Sequence, residues 1–122
     1  MGRKKILLVD DSTTVLLMEK MILAQRFDVL EARDGQEGVE KAVAEKPDLI
    51  LMDVVMPRLD GFGAVRRLRE QDATKGIPVI MVTTRGELES VEAGYASGCN
   101  DYVTKPINAL DLLSKVRSCL GE

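Results

Sequence analysis

Four short apolar runs in this sequence each stop at residues that can do chemistry. Ile6–Val9 runs into Asp10 and Asp11, and Leu49–Met52 into Asp53. Val79–Val82 runs into Thr83 and Thr84, and Tyr102–Val103 into Thr104 and Lys105. Taken singly, each has an ordinary structural role: Asp10 or Asp11 capping a helix, Asp53 capping a turn, Thr83 ending a strand, Lys105 solvated. Taken together they are three carboxylates, a hydroxyl and an ammonium. Carboxylates held a few ångströms apart repel, and at least one pKa rises unless a counter-charge intervenes. Oxygen ligands without His or Cys favour Mg²⁺, or Mn²⁺, over Zn²⁺. A hard cation beside a carboxylate, a hydroxyl and a lysine suits a phosphoryl group: the cation takes one oxygen, Lys105 a second, Thr83 a third. With no His, Ser or Cys suitably placed, a carboxylate is the best nucleophile toward phosphorus. Asp53, between the Asp pair and Thr83/Lys105, is the natural choice, and the product is an acyl phosphate.

That chemistry requires the four run ends to share one edge of a sheet. The runs are nearly continuous in apolar residues rather than alternating, which is the pattern of parallel strands covered on both faces. Val29–Ala32 adds a weaker strand that fits a sheet edge. Between the strands the period becomes helical. Thr13–Gln25 carries Val15, Met18, Ile22 and Leu23, with Ser12 or Thr13 as N-cap; Gly35–Glu45 carries Val39, Ala42 and Val43. Phe62–Glu70 carries Val65 and Leu68; Glu87–Ser97 is a poorer fourth helix, interrupted by Gly94. Ala109–Leu120 carries Leu112, Leu113, Val116 and Leu120, with Gly121 as C-cap. Strand–helix units repeated five times predict an α/β fold, a doubly wound parallel sheet with helices on both faces. A closed eight-fold barrel needs about twice this length. In an open sheet of this kind, function is expected outside the carboxyl ends of the strands.

Composition narrows the function classes. The 122 residues predict one domain, spanning 1–122. A net charge of −3 argues against holding nucleic acid by phosphate neutralisation, and 3% aromatic residues argue against base-stacking platforms. The run Arg66-Arg67-Leu68-Arg69 reads as a solvated helix face balanced by Glu70 and Asp72. Cys99 and Cys119 stand in no metal spacing and read as reduced, partly buried thiols. The chain has no histidine, so a phosphohistidine must come from outside it. No apolar run reaches the ~18 residues of a membrane span, and the basic start before Ile6 lacks the apolar stretch of a signal peptide. A cytoplasmic protein without membrane insertion is the expectation.

The segments ILLVDDS (Ile6–Ser12), LILMDVVMPRLDG (Leu49–Gly61), PVIMVTT (Pro78–Thr84) and DYVTKP (Asp101–Pro106) resemble, in order and spacing, the receiver domain of two-component response regulators, of the single-domain chemotaxis-like kind. The resemblance covers essentially the whole chain. It implies a flavodoxin-like five-stranded sheet of order 2-1-3-4-5 with five helices. It also implies roles. Asp53 is the phospho-acceptor. Asp11 and Asp53 ligate Mg²⁺ directly with the backbone carbonyl of Val55, and Asp10 acts mainly through water. Thr83 is the switch hydroxyl. Lys105 pairs with the phosphoryl group and precedes a cis peptide to Pro106. Tyr102 is the aromatic switch residue. The donor is a histidine kinase or histidine phosphotransfer protein. A downstream protein binds the face made by the predicted fourth helix, fifth strand and fifth helix, with no direct contact to nucleic acid.

The reading is of a phospho-acceptor switch rather than an enzyme, one that assists its own aspartyl phosphorylation and dephosphorylation. An aspartate-nucleophile phosphatase wants a second acid two positions after its nucleophile, where this chain has Val55. Val55 is also apolar where many relatives are polar, and Thr84 is bulkier than the usual small residue; both predict a long-lived phospho-form. A binding scaffold that never takes phosphate usually lacks an acid or the lysine, and here all are present.

Overall fold

The computed structural model describes residues 2–56, 59–84 and 98–122. Its strands are β1 (Lys5–Val9), β2 (Asp28–Ala32), β3 (Leu49–Asp53), β4 (Val79–Thr83) and β5 (Asp101–Thr104). Its helices are α1 (Thr13–Leu23), α2 (Gly35–Glu45), α3 (Gly61–Arg69) and α4 (Ala109–Cys119). The sheet has the order β2-β1-β3-β4-β5, every neighbouring pair parallel. Four helices are therefore present among the described residues. The predicted Glu87–Ser97 helix lies outside them.

The central strands β1, β3 and β4 are almost wholly apolar because alternate residues feed two different cores. Leu7, Val9, Ile50, Met52, Val79 and Met81 face α2 and α3, where Val39, Ala42, Val65 and Leu68 meet them. Ile6, Leu8, Leu49, Leu51, Ile80 and Val82 face α1 and α4, where Leu16, Leu23, Leu112 and Val116 meet them. Burying each such side chain contributes about 1.5–3 kcal/mol, which holds the sheet rigid between its layers.

Four side chains start the four helices. Ser12, Asp34, Asp60 and Asn108 each accept a hydrogen bond from the amide three residues on. The cap of α1 is thus Ser12, not an aspartate. Past α4, Gly121 adopts φ 77° and the Glu122 amide donates to Arg117 O at 2.8 Å, closing the helix.

Two expectations fail here. The stripe Val15, Met18, Ile22 and Leu23 is only partly the buried face of α1: Leu23 is buried, together with Leu16 and Glu19, whereas Val15 and Ile22 are half-buried and Met18 is exposed. Apolar residues surround this helix (Val15, Leu16, Leu17, Met18, Met21, Ile22), so their period could not select a face. The helix also ends at Leu23 rather than Gln25. Second, Arg69 is not part of a solvated face. Its guanidinium donates to the carbonyls of Gly98 (2.8 Å), Ile77 (2.7 Å) and Lys75 (3.1 Å), and to Asn100 Oδ1 (3.1 Å). Only Arg66 and Arg67 of that run are exposed.

Candidate functional site

Parallel pairing in register decides where the polar run ends go. Val9 pairs with Met52, Asp53 with Val82, and Thr83 with Thr104, so the residues that follow β1 and end β3, β4 and β5 line one edge. Asp10 is 1% exposed, Asp53 4% and Thr83 1%, whereas Asp11 lies open to solvent. One carboxylate oxygen from each of Asp10, Asp11 and Asp53 lies within 4.8 Å of the other two. Lys105 Nζ sits 3.1 Å from Asp53 Oδ1 and 3.5 Å from Asp10 Oδ2. The Lys105–Pro106 peptide is cis, and the Lys105 amide donates to Thr83 O at 2.7 Å.

The backbone next to Asp53 is held just as closely. The Val54 amide donates to Val82 O, and the Gly61 amide to Val54 O. Gly61 has to be a glycine: a Cβ there would stand 2.2 Å from Asp53 O. Gly63 looks costly in a helix by roughly 1 kcal/mol, yet a Cβ there would press Leu59 Cδ1 at 2.7 Å beside the Asp60 cap. Both glycines let the start of α3 close down on the segment after Asp53. Val55 is 62% exposed at the mouth of that segment. Thr83 Oγ1 donates to Thr84 O at 3.2 Å, and Tyr102 is half-buried on β5.

One ammonium faces three carboxylates, and the acids show it. Burial, then the Asp10 charge, pushes Asp53 up to about 6 against the pull of Lys105. Burial also raises Asp10, although the Ser12 amide (2.9 Å) and Lys105 hold it down. For Lys105, burial alone would lower the pKa; Asp53 and Asp10 together lift it. Asp10 Oδ2 meets Lys105 as an ion pair without hydrogen-bond alignment and has no hydrogen-bond partner among the described residues. An oxygen-only cluster in which three carboxylates outnumber one ammonium fits a hard divalent cation.

A fourth acid belongs to this region and was not singled out from the sequence. Glu19 is 1% exposed on the buried face of α1, and its Oε1 has no hydrogen-bond partner. Burial, reinforced by the Asp10 charge, pushes it up to about 8. The available signal was that Glu19 is the one acid in the helix, three residues after Leu16 and four before Leu23.

The sequence of residues 6–117 matches the family model described as the response regulator receiver domain. The chain belongs to that family. This receiver is 42% identical over 118 residues to protein PilH of Pseudomonas aeruginosa, covering 96% of this chain and 98% of that one. It is 38% identical over 117 residues to the DNA-binding transcriptional regulator RpaA of Synechocystis, covering 95% of this chain but only 48% of RpaA. The receiver thus spans about half the length of some curated relatives and nearly all of others. Its fold superimposes with a TM-score of 0.91 on the receiver domain of sensor histidine kinase PA1611 from Pseudomonas aeruginosa, at 30% identity, covering 99% and 100% of the two chains. That relative's structure holds a magnesium ion coordinated in its active site cleft. Among the described residues of this receiver, no helix is long and apolar enough to cross a membrane.

Proposed function

We propose that residues 1–122 act as one cytoplasmic phospho-acceptor switch, with Asp53 as the acceptor. The observation that carries this is the buried Asp53 carboxylate, held 3.1 Å from Lys105 Nζ inside a cluster of three acids. The donor is a histidine kinase or a histidine phosphotransfer protein. An Asp53 oxygen forms the new bond to phosphorus as the P–N bond to the donor's imidazole breaks; the imidazole leaves and takes up a proton. The attacking carboxylate has to be ionised; burial and the Asp10 charge oppose that, while Lys105 favours it.

Asp11, Asp53 and the Val55 carbonyl would hold Mg²⁺, with Asp10 acting through water. A bound Mg²⁺ neutralises charge on the transferring phosphoryl oxygens. Lys105 already pairs with Asp53 and needs little movement to pair with a phosphoryl oxygen instead. Thr83, one residue beyond the Asp53–Val82 register pair, supplies a hydroxyl from the neighbouring strand end. Its shift toward the phosphoryl group vacates space for the Tyr102 ring to rotate inward. The face carrying β5 and α4, together with the predicted 87–97 helix outside the described residues, then changes its affinity for a downstream protein. Such a population shift needs only a few kcal/mol of differential interaction. The chain does this chemistry on itself and turns over no separate substrate.

Incubation with Mg²⁺ and acetyl phosphate, followed by intact mass spectrometry, tests the assignment. The wild type gains one phosphoryl group and Asp53→Asn gains none. No gain in the folded wild type, or an equal gain in Asp53→Asn, overturns it.

A further inference from the structure

Among the described residues β5 is the last strand of the sheet and pairs with β4 alone. Tyr102 sits on this edge strand and packs against the rim of the core beneath α2 and α3. The helix α4 covers the opposite face, where Leu112 and Val116 are buried. Between them, Lys115 reaches round the strand edge. Its ammonium donates to Tyr102 O at 2.6 Å and stands 4.9 Å from the centroid of the Tyr102 ring. Asp111, one helical turn earlier, pairs with the same ammonium at 3.5 Å.

The two contacts to Tyr102 differ in what they sense. The hydrogen bond to the main-chain oxygen is indifferent to where the ring points. The cation–π contact exists only while the ring presents its face to Lys115. We propose that Lys115 is a latch on the Tyr102 ring, stabilising the position it occupies here and so opposing its rotation when Asp53 is modified. The proposal rests on the switch reading above and adds to it the residue that sets the resting balance. Any ligand that favours the rotated ring has to break this contact, so its apparent affinity is lowered by the same factor. A competing, purely structural role is also open to Lys115: covering an edge carbonyl. That role would affect stability without coupling to the acid site.

The test uses the full chain and beryllofluoride with Mg²⁺, a phosphoryl mimic, titrated by calorimetry. Lys115→Met keeps the alkyl stem and removes the charge; Lys115→Arg keeps a cation. The latch predicts that Lys115→Met binds beryllofluoride about two- to five-fold more tightly, the size of a partly exposed cation–π contact. Lys115→Arg stays near wild type. In a Tyr102→Leu background the Lys115→Met effect disappears. An unchanged affinity in Lys115→Met, even with lowered thermal stability, overturns the latch and leaves edge cover as the role. An effect that persists without the Tyr102 ring overturns it as well. If the wild type binds no beryllofluoride, the switch reading itself falls, a result distinct from either of these.

Discussion

The two edges of the same sheet treat charge in opposite ways. At the amino edge, Arg69 arrives at the end of α3 and finds more acceptors than it has charge. Main-chain carbonyls of Gly98, Ile77 and Lys75 and the Asn100 side chain surround it, and Asn100 Oδ1 also accepts from the Val79 amide at 2.9 Å. At the carboxyl edge, Asp10 and Asp53 share one lysine, with Asp11 beside them. Asp10 Oδ2 there and Glu19 Oε1 beneath it have no hydrogen-bond partner. A fully paired polar network rigidifies a fold; an incompletely paired one in a low-dielectric setting is costly. The difference sets the edge that builds the molecule apart from the edge proposed above to take the phosphoryl group.

The largest effect should come from breaking the amino edge. Arg69→Ala strips several main-chain carbonyls of a charged donor, and a loss of about 3 kcal/mol is expected in urea unfolding. Beryllofluoride binding should survive wherever the protein remains folded. A loss below about 0.5 kcal/mol, the size of an ordinary surface substitution, would mean that the two edges do not differ as described.

A change of opposite sign is expected on the working side. Glu19→Leu should stabilise the fold by about 1–3 kcal/mol at pH 8, because it removes a buried carboxyl with an unpaired oxygen. The gain depends on pH. Glu19 titrates near 8 when folded against an ordinary value of 4.5, so between those values the folded state holds a proton that the unfolded state has lost. The wild type therefore loses stability as pH rises through that window and levels off above it. The difference between Glu19→Leu and wild type should widen from pH 5 to pH 8 in thermal unfolding. A pH-independent difference would show that Glu19 is not held neutral by its burial.

The working edge was far more legible in the sequence than the building edge, for a physical reason. A parallel strand buried on both faces must be apolar to its end, so Asp10, Asp53, Thr83 and Lys105 stand out as the points where apolar runs stop. The same pattern gave all five strands to within a residue or so at each end. Arg69 left no such mark. Its partners are mostly main-chain carbonyls, which every residue has, and Arg66, Arg67 and Arg69 look alike until the chain brings Gly98 and Ile77 to only one of them. Glu19 stayed hidden because α1 is apolar on nearly every side, so no stripe marked which face turned inward. Lys115 stayed hidden because its target, Tyr102, is a strand residue 13 positions earlier, on the far side of a loop.

The most direct test of the contrast is a Mg²⁺ titration followed through backbone amide resonances at neutral pH. The Ser12 amide, which donates to the Asp10 carboxylate, is a built-in reporter, and the amides around Asp53 and Lys105 are others. Saturable shifts at Ser12, Asp53–Val55 and Lys105, with Arg69 and Asn100 unmoved, are the predicted result. No saturable shift at Ser12 and Asp53, or equal shifts at both edges, would contradict the proposal that the carboxyl edge binds a divalent cation.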